Sequence, residues 1–440
     1  MAQNLVVGLG VTGLSIVRYL KAQGIPCVVV DSREHPPQLA QLKSEHPDIP
    51  VVLGAFDHAL FETAETLILS PGISPHEPII LQQMKRGVPV IGDIELFARI
   101  NQTPVIAITG TNAKSTVTTL VGLMAKACGY RVAVGGNLGV PALDLLVEIE
   151  TDLFVLELSS FQLETTYSLH AKIATILNIT PDHLDRHETL LAYCQAKQRI
   201  YQHCELAVCN RDDRLTEATL PCKLYFTSHV PQEGEFGLLK VNGKTHLAFG
   251  DQPLLAIDVL PVLGGHYYMN ALAALCIGYG YGFSMERMLQ VLREFKGLPH
   301  RCELIRVHRQ IGWYNDSKGT NVGATEAAIR GLGDSCDCGK LILIAGGVGK
   351  GADFSVLLPM VKQYVRHVIL MGEAAQEIAQ VIQGEVSCTL VGSMQDAVET
   401  ANQVALPYDH VLLSPACASL DMFRNFEHRG EVFSELVRAL

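Results

Sequence analysis

Pro104-Val-Ile-Ala-Ile-Thr-Gly-Thr-Asn-Ala-Lys-Ser-Thr116 is the stretch on which the reading of this chain turns. Residues 105–108 are uniformly apolar, the mark of a strand buried on both faces. A small, polar turn follows, and the run through residue 124 predicts a helix. Strand, tight loop and helix start in that order direct backbone N–H groups and the positive helix end at one point, which suits phosphate. The loop of Gly110, Thr111 and Asn112 would cradle the anion, Lys114 would add a full positive charge, and Ser115 or Thr116 would reach Mg²⁺. The general phosphate-loop pattern has glycine directly before the lysine and again five residues earlier, where this chain has Ala113 and Ile108.

Outward from this stretch, strand-length apolar runs alternate with helix-length amphipathic ones over the whole chain, which predicts an α/β protein with helices on both faces of parallel sheets. The length of 440 residues suits about three domains. The expected division is a Rossmann-like domain over 1–93, a central P-loop ATPase-like domain with a parallel sheet over 94–298, and a C-terminal Rossmann-like domain over 299–440. Strands are expected at 4–7, 27–30, 67–69 and 88–91, then a break over 92–102. The central block predicts strands at 104–109, 152–158, 173–178 and 206–210, a small antiparallel insertion over 225–260, and a helix over 268–279. Strands at 312–316, 341–345, 367–371, 388–391 and 410–414 complete the third block.

Composition narrows the function. A formal charge of −11 argues against a nucleic-acid partner. No apolar run approaches the roughly 18 residues of a membrane span, so no membrane insertion is expected. Met1 runs directly into a strand-like segment without a basic or cleavable leader, which predicts a cytoplasmic protein. Twelve scattered cysteines without a Cys-x-x-Cys pair read as free thiols, and Cys336-Asp-Cys338 as a surface loop rather than a metal site.

Other motifs sit where ligands bind in open α/β sheets, beyond the carboxyl ends of strands. Gly8-Leu-Gly10-Val-Thr-Gly13, with Asp31 ending the next strand, has the layout of a dinucleotide fingerprint; NAD, another nucleotide diphosphate and a bare tight turn all fit it. Glu157 ends the strand expected at 152–158, and Asp182-His183 follows the one at 173–178. Glu157 and His183 are hard and borderline ligands for a divalent ion beside bound ATP. Asp316-Ser-Lys318-Gly-Thr-Asn321, Gly346-Gly-Val-Gly-Lys350-Gly351 and Ser414-Pro-Ala-Cys-Ala-Ser419 read as three turns at strand ends, the first two as anion-handling turns and the third as a substrate loop. Lys197, in the helical stretch Tyr193-Cys-Gln-Ala-Lys-Gln-Arg199, reads from the residues alone as a solvated surface lysine.

Taken together these motifs resemble the ATP-dependent Mur ligases of peptidoglycan synthesis over nearly the whole chain. The resemblance is carried by residues 109–116, by Asn-Ile-Thr-Pro-Asp-His-Leu-Asp-Arg-His at 178–187, and by Glu157-Leu-Ser-Ser-Phe-Gln-Leu-Glu164 with Ser414-Pro-Ala-Cys-Ala-Ser-Leu-Asp421. The last two are similar to the members that add D-glutamate. The implied substrates are UDP-N-acetylmuramoyl-L-alanine and D-glutamate, joined through an acyl phosphate with ATP and two Mg²⁺ ions by a monomeric enzyme. By resemblance, Gly13, Asp31, Ser32 and Arg33 bind the uridine diphosphate, with Asn137 and His183 near the muramoyl substrate. Lys114, Glu157, His183 and Lys197 carry catalysis, and Ser115, Thr116, Glu157, His183 and Lys197 the metals, with Lys197 carbamylated. Asn270, His300, Arg301, Asp316 and Lys318 match ATP contacts. Thr320, Lys350, Ser419 and Phe426 match positions that hold D-glutamate.

Three residues depart from the family pattern: Ala113 for the loop glycine, Tyr267 after His266 where asparagine is usual, and Val348 where many relatives carry aspartate. Other readings are a folylpolyglutamate-synthase-like ligase, which shares the ATP loop; a nucleotide-binding protein without activity; and a Rossmann oxidoreductase. The amino-terminal block and the 157–164 segment argue against the first.

Overall fold

The computed structural model describes residues 3–146, 150–262, 264–334, 336 and 339–440, which build three sheets. In the first, Gln3–Val7 lies between Cys27–Asp31 and Ala64–Leu69, with Val51–Leu53 and Val90–Gly92 at the edges, all parallel. Leu5, Val6 and Val7 are fully buried because helices cover both faces. Gly8 turns the chain at φ +95° into the helix Val11–Ala22, and a Cβ on Gly13 would lie 2.0 Å from the Gly8 carbonyl oxygen. Only glycine permits that close passage of helix over turn.

The central sheet has nine strands. Its middle is Ile173–Ile176, Val105–Thr109 and Leu153–Glu157, side by side and parallel, with Val132–Gly136 beyond the last. Leu206–Asn210 and Lys223–Phe226 extend it on the other side. The antiparallel strands Phe236–Val241, Lys244–Phe249 and Gln252–Ala256 are expected as an insertion; they continue this sheet through the Phe226–Phe236 pair. Helices Lys114–Ala127 and Gly265–Tyr281 pack together on one face, burying Leu120, Val121, Met124, Leu272 and Leu275 in a common core. The third sheet runs Glu303–His308, Ile311–Asn315, His410–Leu413, Leu341–Gly346, Val365–Met371, Ser387–Leu390, parallel except for its first strand.

The break expected over 92–102 is instead the helix Asp93–Ile100. It is docked onto the central block: Gln162 donates to Asp93 at 2.9 Å, and Glu95 accepts the N–H groups of Tyr167 and Ser168 at 2.7 and 2.8 Å. Burial pushes the Asp93 carboxyl up to about 6. Val51–Leu53, Val132–Gly136 and Glu303–His308 are further strands that periodicity passes over, the first too short, the second glycine-ended and the third half-exposed. Cys27, Cys194, Cys204, Cys209, Cys276 and Cys417 are buried free thiols. Cys338 of the Cys336-Asp-Cys338 stretch lies outside the described residues. Among the described residues no helix is long and apolar enough to cross a membrane.

Gly13→Ala is expected to destabilise the amino-terminal block by about 3 kcal/mol or more through the clash with Gly8. Pulse proteolysis should show that block cleaved at lower urea, with the central and third blocks unchanged.

Candidate active site

Three adjacent strand ends build the phosphate loop. Ile108 pairs with Glu157 and Thr109 with Ile176, so the segments leaving Thr109, Glu157 and Ile176 emerge at one edge. The loop is pinned to the third of these: the Thr111 N–H donates to the Asn178 carbonyl at 2.9 Å, and the Asn112 N–H to the Asn178 side chain at 2.8 Å. Ala113 caps the helix Lys114–Ala127 in the left-handed region at φ 68°, where a Cβ costs about 1 kcal/mol relative to glycine. The departure from glycine therefore falls on a position whose conformation favours glycine. Lys114 lies back over the loop, its Nζ donating to the carbonyls of Gly110 at 3.0 Å and Thr111 at 2.8 Å. Ser115 Oγ accepts from Arg301 of the third block at 2.9 Å, and Thr116 lines the adjoining cavity.

Glu157 is 2% exposed. One carboxylate oxygen accepts from Asn137 Nδ2 at 2.7 Å, and the other is buried without a partner among the described residues. His183 stands in the left-handed region at φ 54°, edge-on to the Phe161 ring at 4.9 Å, and burial lowers its imidazole below the ordinary histidine value. Lys197 is only 1% exposed, so the reading of a solvated surface lysine is overturned. Its Nζ donates to the Gly110 carbonyl at 2.9 Å and lies 4.6 Å from the centre of the Tyr193 ring. Burial, reinforced by Lys114 nearby, holds this amine well below the ordinary lysine value. The helix carrying it packs under the loop, a long-range placement that local sequence does not signal.

A cavity of about 290 Å³ lies over the loop, lined by Asn112, Ala113, Thr116, Asn270, Arg301, Asp316 and Lys318 among others. Burial pushes the Asp316 carboxyl up to about 6; Ser414 donates to it at 2.7 Å. Burial, with Arg301 close by, brings Lys318 down to about 8, and its ammonium sits 3.6 Å from the Phe426 ring centre. His266 lines this cavity, whereas Tyr267 points into the core and stacks on Phe295 at 6.2 Å, so the Tyr267 departure lies away from the cavity wall. His300 packs its ring against Phe426 and meets the Asn315 amide.

A second cavity, about 350 Å³, is formed by Asp182 and His183 from the central block with Thr320, Gly349, Lys350 and Ala416 from the third. Ser419 and Phe426 are not in its wall: Ser419 is buried beside the Val348–Ala418 bridge and Phe426 covers Lys318. A third, about 600 Å³, brings together Gly8, Gly10, Ser32, Arg33, Asn137 and Gln162. Gly13 and Asp31 lie behind it. Asp31 accepts from the Leu9 N–H at 2.7 Å and from Arg33 at 2.7 and 2.8 Å; burial opposes its ionisation, but these bonds hold the carboxyl below its ordinary value. Its contact is to Arg33, which faces the cavity. Asn137 joins this cavity to Glu157. Residues outside the expected set also take part: Asn178 pins the loop, and Arg429, 1% exposed, holds the carbonyls of Ser317 and Cys417 at 2.8 and 3.2 Å. Asn178 opens the 178–187 motif and Arg429 lies three residues after Phe426, yet only the fold brings them to these partners.

A phosphate loop at three strand ends, roofed by cations from another sheet and joined to two further cavities, defines a multi-sheet nucleotide-dependent enzyme. The profiles of the Mur ligase MurD-like N-terminal domain, the Mur ligase middle domain and the Mur ligase glutamate ligase domain match residues 2–92, 108–278 and 300–417. The chain is 50% identical over 442 residues to a UDP-N-acetylmuramoylalanine–D-glutamate ligase of Legionella pneumophila, covering 99% of each. It is 51% identical to one of Nitrosococcus oceani, covering 100% of this chain and 97% of the relative. Among solved structures, MurC of Thermotoga maritima superposes with a TM-score of 0.64 at 17% identity over 100% and 99% of the two chains. FolC of E. coli with ADP gives 0.59 at 16% identity over 79% and 93%. The chain belongs to the Mur ligase family.

Lys318 is expected to set a pH limit. Its protonated form, the one that would attract phosphate, is lost as pH rises through about 8 in the free protein. The kcat/KM for ATP is expected to fall about tenfold per pH unit above that point, and Lys318→Arg to move this limb beyond pH 10, read from initial rates across pH 6.5–10.

Proposed function

We propose that this chain joins D-glutamate to UDP-N-acetylmuramoyl-L-alanine in an ATP-dependent amide ligation, as a monomeric cytoplasmic enzyme of peptidoglycan synthesis. Support comes from half-identity over the full length to ligases of that name. The observation that carries the reading is Glu157, whose paired oxygen binds the Asn137 of one cavity while its other oxygen, unpartnered among the described residues, is buried beside the phosphate loop. The proposed division is residues 1–93 for the uridine diphosphate, 94–298 for ATP, and 299–440 for D-glutamate, with Gly13, Asp31, Ser32 and Arg33 forming or supporting the first site.

The donor set fits Mg²⁺. Glu157 offers a buried oxygen that is unpartnered among the described residues, Ser115 and Thr116 offer hydroxyls and His183 a neutral imidazole. Among the described residues no three His, Cys, Asp or Glu side chains stand together as a metal-ligand group. Two ions are proposed, the second on Lys197 once carbamylated. Bound Mg²⁺ supplies neutralisation of phosphate charge. The neutral Lys197 amine attacks CO₂, forming an N–C bond and releasing a proton to water, so that a cation becomes an oxygen ligand.

The residues then divide the work. Lys114, Arg301 and Lys318 offset the repulsion between the alanyl carboxylate and the γ-phosphate. The carboxylate oxygen attacks phosphorus, the bond to ADP breaks, and an acyl phosphate results. Asn137 and His183 orient that carboxylate, while Asn270 and Asp316 bind the nucleoside end. Lys350 and Thr320 hold the D-glutamate carboxylates so that its amine faces the acyl carbon. Attack gives a tetrahedral intermediate, which expels phosphate and loses a proton to leave the amide. Ser419 and Phe426 act from behind these loops.

ADP release is expected only when Mg²⁺, ATP, UDP-N-acetylmuramoyl-L-alanine and D-glutamate are all present, with L-glutamate at background; turnover without the UDP-sugar would sink this reading. With ¹³C-bicarbonate, the wild-type protein is expected to show a carbamate carbon resonance that Lys197→Arg lacks, and Lys197→Arg to lose at least about a hundredfold in kcat.

A further inference from the structure

Between the 290 Å³ and 350 Å³ cavities stands Asn321, 8% exposed, at the start of the helix Val322–Gly333. Its amide uses every hydrogen-bonding position it has. Oδ1 accepts the Ala324 N–H at 2.9 Å, capping the helix, and accepts Asn112 Nδ2 at 3.4 Å. Nδ2 donates to Asn112 Oδ1 at 3.2 Å and to Asp182 Oδ2 at 3.1 Å. Chemistry fixes this orientation, because a backbone N–H can only donate and a carboxylate can only accept. The partners lie 209 and 139 residues away, in the phosphate loop and in the turn that carries His183. Thr320, the residue before it, faces the second cavity.

Capping alone does not call for this residue. Serine or aspartate caps a helix as well as asparagine does, but serine is too short to reach either partner and aspartate has no proton to donate. Only an amide caps the helix and donates to Asp182 at once.

We infer that Asn321 is a positioning residue that fastens the phosphate loop and the Asp182–His183 turn to the helix behind Thr320, holding the nucleotide and amino-acid cavities in one register. The inference rests on the nucleotide reading of the loop, and not on which amino acid is joined. Asn112 lines the cavity over the loop and pairs with Asn321, so a triphosphate bound there acts on the third block through this amide pair and favours its closed position.

Two substitutions separate the fastening from the cap. N321S is expected to melt within about 2 °C of wild type, since it retains the cap, while N321D also retains the cap but melts lower because it sets a second carboxylate against Asp182. Each is expected to lose at least about tenfold in kcat/KM for both ATP and D-glutamate, N321D more than N321S because its carboxylate faces Asp182. N321A, which removes cap and bridges together, is expected to lose both stability and activity. Small-angle scattering gives an independent readout: Mg²⁺ with a non-hydrolysable ATP analogue is expected to shrink the radius of gyration of wild type and not of N321S. Wild-type kinetics in N321S or N321D, activity loss that follows melting temperature across all three variants, or equal radii for wild type and N321S with the analogue would overturn the inference. If wild type shows no D-glutamate-dependent turnover, the proposed reaction fails, while the scattering comparison still decides the role of Asn321.

Discussion

The parallel register of three strands governs everything around it. Because Val105–Thr109 is hydrogen-bonded between Leu153–Glu157 and Ile173–Ile176, a loop, a carboxylate and an imidazole-bearing turn leave the sheet at one edge. Side chains alternate faces along a strand, so a shift of one residue would turn Glu157 away from the phosphate loop. Asn178 then ties the loop to its neighbour.

Around that edge the balance of charge is unusual. Lys114, Lys197 and Arg301 are all held below their ordinary values by burial, and Lys318 with them. Arg301 and Lys318 line one cavity, where a bound polyanion would restore the charge that burial opposes. Lys197 is the exception in kind: it donates to a carbonyl at the base of the loop, and the proposed carbamylation would use its neutral form. The acidic chain as a whole thus keeps a local basic pocket.

The departures from the family pattern have different physical weights. Ala113 bears on the site directly, since its backbone lies where a Cβ is disfavoured. Tyr267 does not, because it points into the core, leaving His266 and Asn270 on the cavity wall. Val348 pairs its backbone with Ala418, and it is the following Gly349 and Lys350 that reach the second cavity.

Much was legible from residues alone. Uniform apolar runs marked the buried strands, and glycine, hydroxyl and lysine at strand ends marked the phosphate loop and the third-block turns, because these signals are local and periodic. The helix Asp93–Ile100 escaped, since its Asp93 and Glu95 are buried by partners some 70 residues away rather than exposed as their type suggests. Lys197 escaped for the same reason, as did the internal use of Asp31 by Arg33 and the bridging by Asn321. By itself the sequence determined the strands, the turns and the residue types at their ends. Only the tertiary structure decided which side chains lose water and which share a partner, because burial and distance depend on segments far apart in the chain.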